Sequence, residues 1–305
     1  MFRLGYNTNG LPHHRVLDAL ELLDELGYEA VSLTPDAGQL DPYHLRADEV
    51  AAVRLRAEEL GLELTLETGS RFLLDPRRKH RPSLLEDDPA ERARRADFLV
   101  RCVDLAADLG APLLSLWSGA APDGSVGDRR EGPGARDELW RRLCEGLSLV
   151  LARGREQGVQ IAFEPEPGMF LERPAGYEEL LERLGAEGDE LGLCLDVGHC
   201  LCTRDLPVED VIRRSAPRLV LVQLDDIKDG VHLHRMFGEG DLDLAAVLAA
   251  LLEVGFEGVA AVELSRDGHR APEAAAEAMR RLRAALAACG ERGSESTVEG
   301  TSAGT

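Results

Sequence analysis

No apolar run in this chain approaches the roughly 18 residues that a helical bilayer span requires, which excludes a helical membrane protein. Positive charge is scarce as well. Lys and Arg number 35 against 56 Asp and Glu, a formal net charge of −21, so phosphate backbones and anionic membranes repel the chain on average. Neither nucleic acid nor membrane is therefore expected as a partner. No N-terminal stretch joins basic residues, an apolar segment and a small-residue cleavage site; residues 1–6 already read as a strand, and the expectation is a cytoplasmic protein. The six cysteines, Cys102, Cys144, Cys194, Cys200, Cys202 and Cys289, form no CxxC pair and no disulfide-dense pattern, so reduced thiols are the default. Cys200 and Cys202, just after His199, are either thiolate ligands or plain buried thiols. A glycine-rich phosphate turn is missing too. The first strand runs into Asn7-Thr8-Asn9-Gly10 rather than GxGxxG, which argues against an open doubly wound sheet.

What is present is a regular alternation. Short apolar or β-rich runs at 3–6, 30–33, 63–66, 113–116, 160–163, 192–195, 219–224 and 258–262 are separated by amphipathic stretches such as 15–26, 47–60, 89–109 and 136–157. Gly27, Gly61, Gly110 and Gly158 follow helical stretches and precede strands, as helix C-caps do. Eight strands alternating with helices predict an α/β fold, a single (β/α)8 TIM barrel over residues 1–289. Residues 119–135, rich in Gly, Pro and Asp, read as a mobile loop at the barrel mouth, and residues 290–305 as a disordered C-terminal tail.

In such a barrel the chemistry sits where strands end. The fifth apolar run leads into Glu164, the sixth into Asp196, the seventh into Gln223 and the eighth into Glu263. Inward-facing carboxylates repel one another in a low dielectric, and a divalent cation relieves that repulsion. Each acid taken singly could instead cap a helix or pair with an arginine. Together Glu164, Asp196, Gln223 and Glu263 form an oxygen-donor set for one metal.

These residues resemble the xylose isomerase-like superfamily, which contains sugar isomerases and epimerases and the endonuclease IV-type nucleases. The resemblance is carried by Phe163-Glu164-Pro165, Leu195-Asp196-Val197-Gly198-His199, Val222-Gln223-Leu224-Asp225-Asp226, Gly238-Glu239-Gly240-Asp241-Leu242-Asp243 and Val262-Glu263-Leu264. It implies that Glu164, Asp196, Gln223 and Glu263 bind one divalent cation (Mn, Mg, Co or Zn), with His199 contacting substrate. Gln223 departs from the histidine that most members carry, although hydroxypyruvate isomerase-like members use glutamine. Arg235 matches a substrate-contacting arginine of ketose 3-epimerases, with surface charge as the alternative. His232 and His234, with His199, match a further zinc site of the nucleases. The third and fourth strands end in Glu67-Thr68-Gly69 and Trp117-Ser118-Gly119, without the histidines that a nuclease supplies there.

The segment from Ser70 to Pro82 is the densest basic stretch of an acidic chain. Arg71, Arg78 and Lys79 could clamp a substrate phosphate or carboxylate, or pair with Glu86, Asp87 and Asp88. Trp117 could stack on a sugar ring or simply pack, His269 could reach substrate or lie at the surface, and Glu166 could approach substrate or orient Glu164. The expected function is a metal-dependent isomerase or epimerase of a small hydroxy-carbonyl compound, a sugar or sugar phosphate, working through an enediolate in which Glu164 and Glu263 shuttle protons. A metal-dependent dehydratase of a polyol-derived ketone, an endonuclease IV-type hydrolase and a non-catalytic metal-binding barrel are the alternatives. The expected partner is a small-molecule substrate, and a homo-oligomer is compatible with the reading.

Overall fold

Strand parity builds this molecule. The computed structural model describes residues 1–122 and 133–299. Eight parallel strands close into a barrel: β1 (Arg3–Asn7), β2 (Ala30–Leu33), β3 (Glu63–Glu67), β4 (Leu113–Leu116), β5 (Gln160–Phe163), β6 (Leu191–Asp196), β7 (Leu219–Leu224) and β10 (Val259–Val262). The ring closes by pairing β1 with β10, Gly5 against Ala261 and Tyr6 against Val262. Helices α1 (Val16–Leu26), α2 (Ala47–Leu60), α3 (Pro89–Leu109), α4 (Pro133–Gln157), α5 (Pro174–Leu184), α6 (Val197–Thr203), α7 (Val208–Ser215), α8 (Leu244–Glu253) and α9 (Ala271–Glu299) follow the strands. The predicted (β/α)8 barrel is the observed fold. Between β7 and α8 lies an antiparallel hairpin that the sequence reading took for a loop, β8 (Asp226–Lys228) and β9 (Val231–Arg235).

Side chains alternate across each strand, so one parity meets the helices and the other fills the lumen. The lumen layer is small and apolar: Ala30, Leu113, Ala162, Cys194, Leu221, Val259 and Ala261 pack as one cluster. Glycine at position 5 is required there, because a Cβ would come within 2.8 Å of Val259. The opposite parity, including Tyr6, Val31, Leu64, Leu114, Phe163, Leu195 and Val262, joins the core between barrel and helices. Trp140 of α4, 1% exposed, packs edge-on to Phe170 with ring centroids 5.1 Å apart. Two residues above Ala30, Leu113, Ala162, Cys194, Leu221 and Ala261 the same parity turns polar, at Ser32, Ser115, Glu164, Asp196, Gln223 and Glu263.

Helix ends are set locally. Asp88 accepts from the Ala90 backbone N–H at 2.9 Å with Pro89 at the first helical position, and Gly27 and Gly110 end their helices at φ 84° and 75°. The last helix continues to Glu299, past the boundary at 290 where a tail was expected. No proline interrupts 290–299, so the backbone ladder is free to extend. Residues 300–305 of that expected tail, and 123–132 of the expected mouth loop, lie outside the described residues. No described helix is long and apolar enough to cross a membrane.

Candidate active site at the barrel mouth

The rim residues of the inward parity surround a cavity of about 440 Å³ lined by Asn9, Thr34, Glu67, Trp117, Glu164, Glu166, His232, His234 and Glu263 among others. Glu164 follows β5, its backbone N–H donating to the Leu116 carbonyl at 2.8 Å, and its side chain is buried. Asp196 ends β6 and opens α6: Oδ1 accepts from the His199 backbone N–H at 2.8 Å, while the buried Oδ2 has no hydrogen-bond partner among the described residues. Glu263 follows β10 and accepts from two amides, Asn9 Nδ2 at 2.9 Å on Oε1 and Asn7 Nδ2 at 3.3 Å on Oε2. Gln223 lies in register with Asp196 on β7, is fully buried, and accepts from Asn7 Nδ2 at 2.9 Å through Oε1. Its Nε2 has no partner.

The hairpin supplies the imidazoles. Because β9 alternates, His232 and His234 share the face turned to the cavity, and Val231, Leu233 and Arg235 take the other. His232 Nε2 lies 3.1 Å from His199 Nε2, and the His199 and His234 ring centroids are 5.8 Å apart. His199 Nδ1 lies 3.1 Å from the Pro165 carbonyl, which fixes the proton there and leaves Nε2 a lone pair. That Nε2 faces Glu166 Oε2 at 3.5 Å and Asp196 Oδ2 at 3.6 Å. His234 is oriented by Asp225, Nδ1 to Oδ2 being 2.6 Å, and Asp225 is fully buried.

Electrostatically the site is a frustrated cluster of acids. Burial pushes the Glu164 carboxyl well above its ordinary range, and Glu166 and Glu263 push it further. Burial likewise raises Asp196, with Asp225 adding to it. Glu67 is pushed up to about 7 by burial and then by Glu263, and Glu166 to about 8 by burial, with Glu263 adding and His234 opposing. Burial holds His199 well below the ordinary imidazole range and His232 at about 4. For His234 the pull of burial is outweighed by Asp225 and then Glu263, so its pKa is raised.

This donor set fits a divalent cation. Three groups of side chains bring their ligand atoms within 4.8 Å of one another: Glu164 with Asp196 and His199; Asp196 with His234 and Glu263; and His199 with His232 and His234. The partnerless Asp196 Oδ2 sits among them, a buried acceptor for which a cation is the natural counterpart.

Other expected site residues fall out differently. Arg71 and Lys79 line the cavity, and Trp117 forms a wall, held between the Arg95 guanidinium at 4.7 Å from its ring and the His80 ring at 5.3 Å. Arg235 does not line the cavity, because strand alternation turns it away from His232 and His234, and it sits in register with Asp226. Arg78 is tied to Asp75 and Glu91, both at 2.6 Å, and the exposed His269 is not a lining residue. Cys200 is buried against the Asp196 carbonyl with its thiol pushed up by burial, and neither it nor Cys202 enters a metal-capable group, so they are plain thiols.

The sequence reading missed Asn7, Asn9, Thr34, Glu67, Asp225 and Arg266. Asn7, Thr34 and Glu67 belong to the same inward parity as Glu164 and Glu263, so the rule that found the acids of β5 and β10 reaches them too. The Gly238-Glu239-Gly240-Asp241 motif is structural. The buried Asp226 carboxylate accepts the backbone N–H groups of Gly238, Gly240 and Leu242 at 2.7, 2.9 and 2.9 Å, and a Cβ at 240 would meet it at 2.2 Å.

Residues 20–285 match the sequence profile of a family described as xylose isomerase-like TIM barrel. An inosose dehydratase of Lacticaseibacillus casei is 27% identical over 166 residues, 49% of this chain and 54% of that one, so the chain spans about half the length of this relative. The L-ribulose-5-phosphate 3-epimerase UlaE of Escherichia coli (strain SMS-3-5 / SECEC) is 25% identical over 265 residues, 86% of each chain. Among solved structures, a D-tagatose 3-epimerase-like protein superposes with a TM-score of 0.76 at 15% identity, over 95% of this chain and 99% of that one.

Proposed function

The chain belongs to the xylose isomerase-like TIM barrel family, and on that premise we propose that it is a metal-dependent isomerase or epimerase of a sugar, sugar phosphate or related hydroxy-carbonyl compound. The observation that carries this reading is that Asp196 is shared by two groups of donors, one with Glu164 and His199 and one with His234 and Glu263, and that its Oδ2 has no hydrogen-bond partner among the described residues. Glu164, Asp196, Glu263 and the Gln223 carbonyl would hold a divalent cation (Mn, Mg, Co or Zn), which when bound supplies Lewis-acid polarisation of a substrate carbonyl. Glu164 and Glu263 exchange the proton on the carbon next to that carbonyl. Burial raises the Glu164 carboxyl above the ordinary carboxylate range, which makes it a stronger base, and the Asn7 and Asn9 amides fix both oxygens of Glu263. His232 and His234, which line the cavity, hold substrate oxygens with His199 beside them, and Trp117 walls the cavity. Six free thiols support the reading of a cytoplasmic protein.

Replacing Glu164 or Glu263 by glutamine and following solvent deuterium entry into candidate ketoses, with the metal present, tests the assignment. Exchange is expected to drop by about a hundredfold or more, the loss of a positioned acid or base. Undiminished exchange overturns the shuttle.

A second reading is favoured by the inosose dehydratase relative. If the enediolate expels a neighbouring hydroxyl, the product is lighter by one water, and product mass decides between the two. A nuclease is opposed by Glu67 and Trp117 at the ends of β3 and β4 and by the net charge of −21. A non-catalytic metal-binding barrel predicts bound metal on elemental analysis with no proton exchange into any candidate ketose.

A further inference from the structure

The rim of the cavity carries three cations with no direct ion pair among the described residues. Arg71, Lys79 and Arg266 all line it, and none has an ion-pair partner within 4.0 Å among the described residues. Acids of the same loops are taken by other arginines: Asp75 and Glu91 by Arg78, Glu86 by Arg81 at 2.7 Å, and Asp267 by Arg270 at 2.9 Å. The acids of these loops are thus already committed.

The fold brings the three together from both ends of the barrel sequence. The His80 backbone N–H donates to the Arg71 carbonyl at 2.7 Å, closing the loop after β3 and setting Lys79 beside Arg71. The Arg71 guanidinium is anchored by donating to the Asn9 carbonyl at 3.3 Å. Arg266 comes from the loop after β10, three residues beyond Glu263. Their fields overlap: the Lys79 ammonium is held below its ordinary range by burial and then by Arg71 and Arg266, and Arg266 and Lys79 both depress His232.

We propose that Arg71, Lys79 and Arg266 form an anion subsite at the cavity rim, so that the substrate is an acidic hydroxy-carbonyl compound whose phosphate or carboxylate is clamped there while its carbonyl end faces Glu164 and Glu263. Guanidinium groups donate in a fork matched to such oxyanions, and lysine adds a point charge. The substrate class rests on the enediolate reading, whereas the subsite itself is measurable without turnover.

The test is calorimetric titration of the metal-loaded full-length chain with inorganic phosphate, D-gluconate and, as a neutral control, sorbitol. At least one anion is expected to bind, and the Lys79→Gln/Arg266→Gln double variant to weaken it by about tenfold or more, the loss of charge-assisted hydrogen bonds. Lys79→Arg keeps the charge and retains binding, and Arg78→Gln leaves it unchanged. Phosphate binding identifies a phosphorylated substrate and gluconate binding alone a sugar acid. The proposal is overturned if neither anion binds, if the double variant binds the anion as well as the unsubstituted chain, or if sorbitol binds as tightly as gluconate. Glu263→Gln separates the two readings, because it removes proton exchange and leaves anion binding intact.

Discussion

Removing the metal should make the stability of this protein fall as pH rises, and Glu67 makes the size of that fall calculable. Its carboxyl is 8% exposed and is pushed up to about 7, from 4.5, by burial and by Glu263. Raising a folded-state acid pKa above its unfolded value means that the native chain keeps a proton the unfolded chain has released. The resulting stability is complete below pH 4.5 and is lost as pH climbs through 7. Each pH unit in that window is worth about 1.4 kcal/mol, so between pH 5.5 and 7 Glu67 alone removes about 2 kcal/mol. Starting at 5.5 also keeps the chain clear of its isoelectric point near 4.8.

For a domain of this size that loss lowers the melting temperature by about 4 °C. The assay is thermal and urea unfolding of chelated protein at pH 5.5 and 8, beside the Glu67→Gln variant and the metal-loaded chain. Histidines titrate in the same range, with His199 and His232 held low and His234 held high, so the informative quantity is the difference between the unsubstituted chain and Glu67→Gln. Equal pH dependence in the two would refute the reasoning.

Two further substitutions probe the hairpin side. Asp225→Asn removes the carboxylate that orients His234 at 2.6 Å; cobalt affinity by calorimetry is expected to fall about tenfold, and an unchanged affinity would separate the pair from the metal site. Gly198→Ala places a Cβ 1.9 Å from Asp225 Oδ1, so denaturant unfolding should show a loss of about 2 kcal/mol, with no loss if α6 can shift freely.

How far the sequence could be read follows from which forces are local. The bounds of β2, β4, β5 and β7 coincide with their apolar runs, because both faces of a barrel strand are buried. β3 and β6 run one residue further, through Glu67 and Asp196, since a polar residue aimed at the mouth still completes the backbone ladder. The acids of β5, β6 and β10 were legible because each interrupts an apolar run. Asn7 and Thr34 were not, because in isolation each reads as a turn residue. The hairpin had a signal that went unused: Asp229-Gly230, whose φ values of 55° and 69° are those of a tight hairpin turn, stands between β8 and β9. Without the hairpin, Arg235 stood in the same loop as His232 and His234, and only strand alternation separates them.

That hairpin changes what the site can do. Glu164, Asp196, Gln223 and Glu263 sit on the barrel itself, where register fixes them, whereas His232 and His234 ride on strands only partly buried and anchored from beneath. The anchors are two consecutive aspartates of opposite facing: Asp225 grips His234, and Asp226 grips the backbone of 238–242, which closes over the hairpin. A buried charge used this way is costly unless its acceptors are filled, and Asp226 fills its own with four backbone donors from Ile227, Gly238, Gly240 and Leu242. Asp225, by contrast, meets the His234 imidazole at 2.6 Å. His232 and His234 thus lie on a partly buried hairpin strand, whereas the carboxylates follow the strands of the barrel itself.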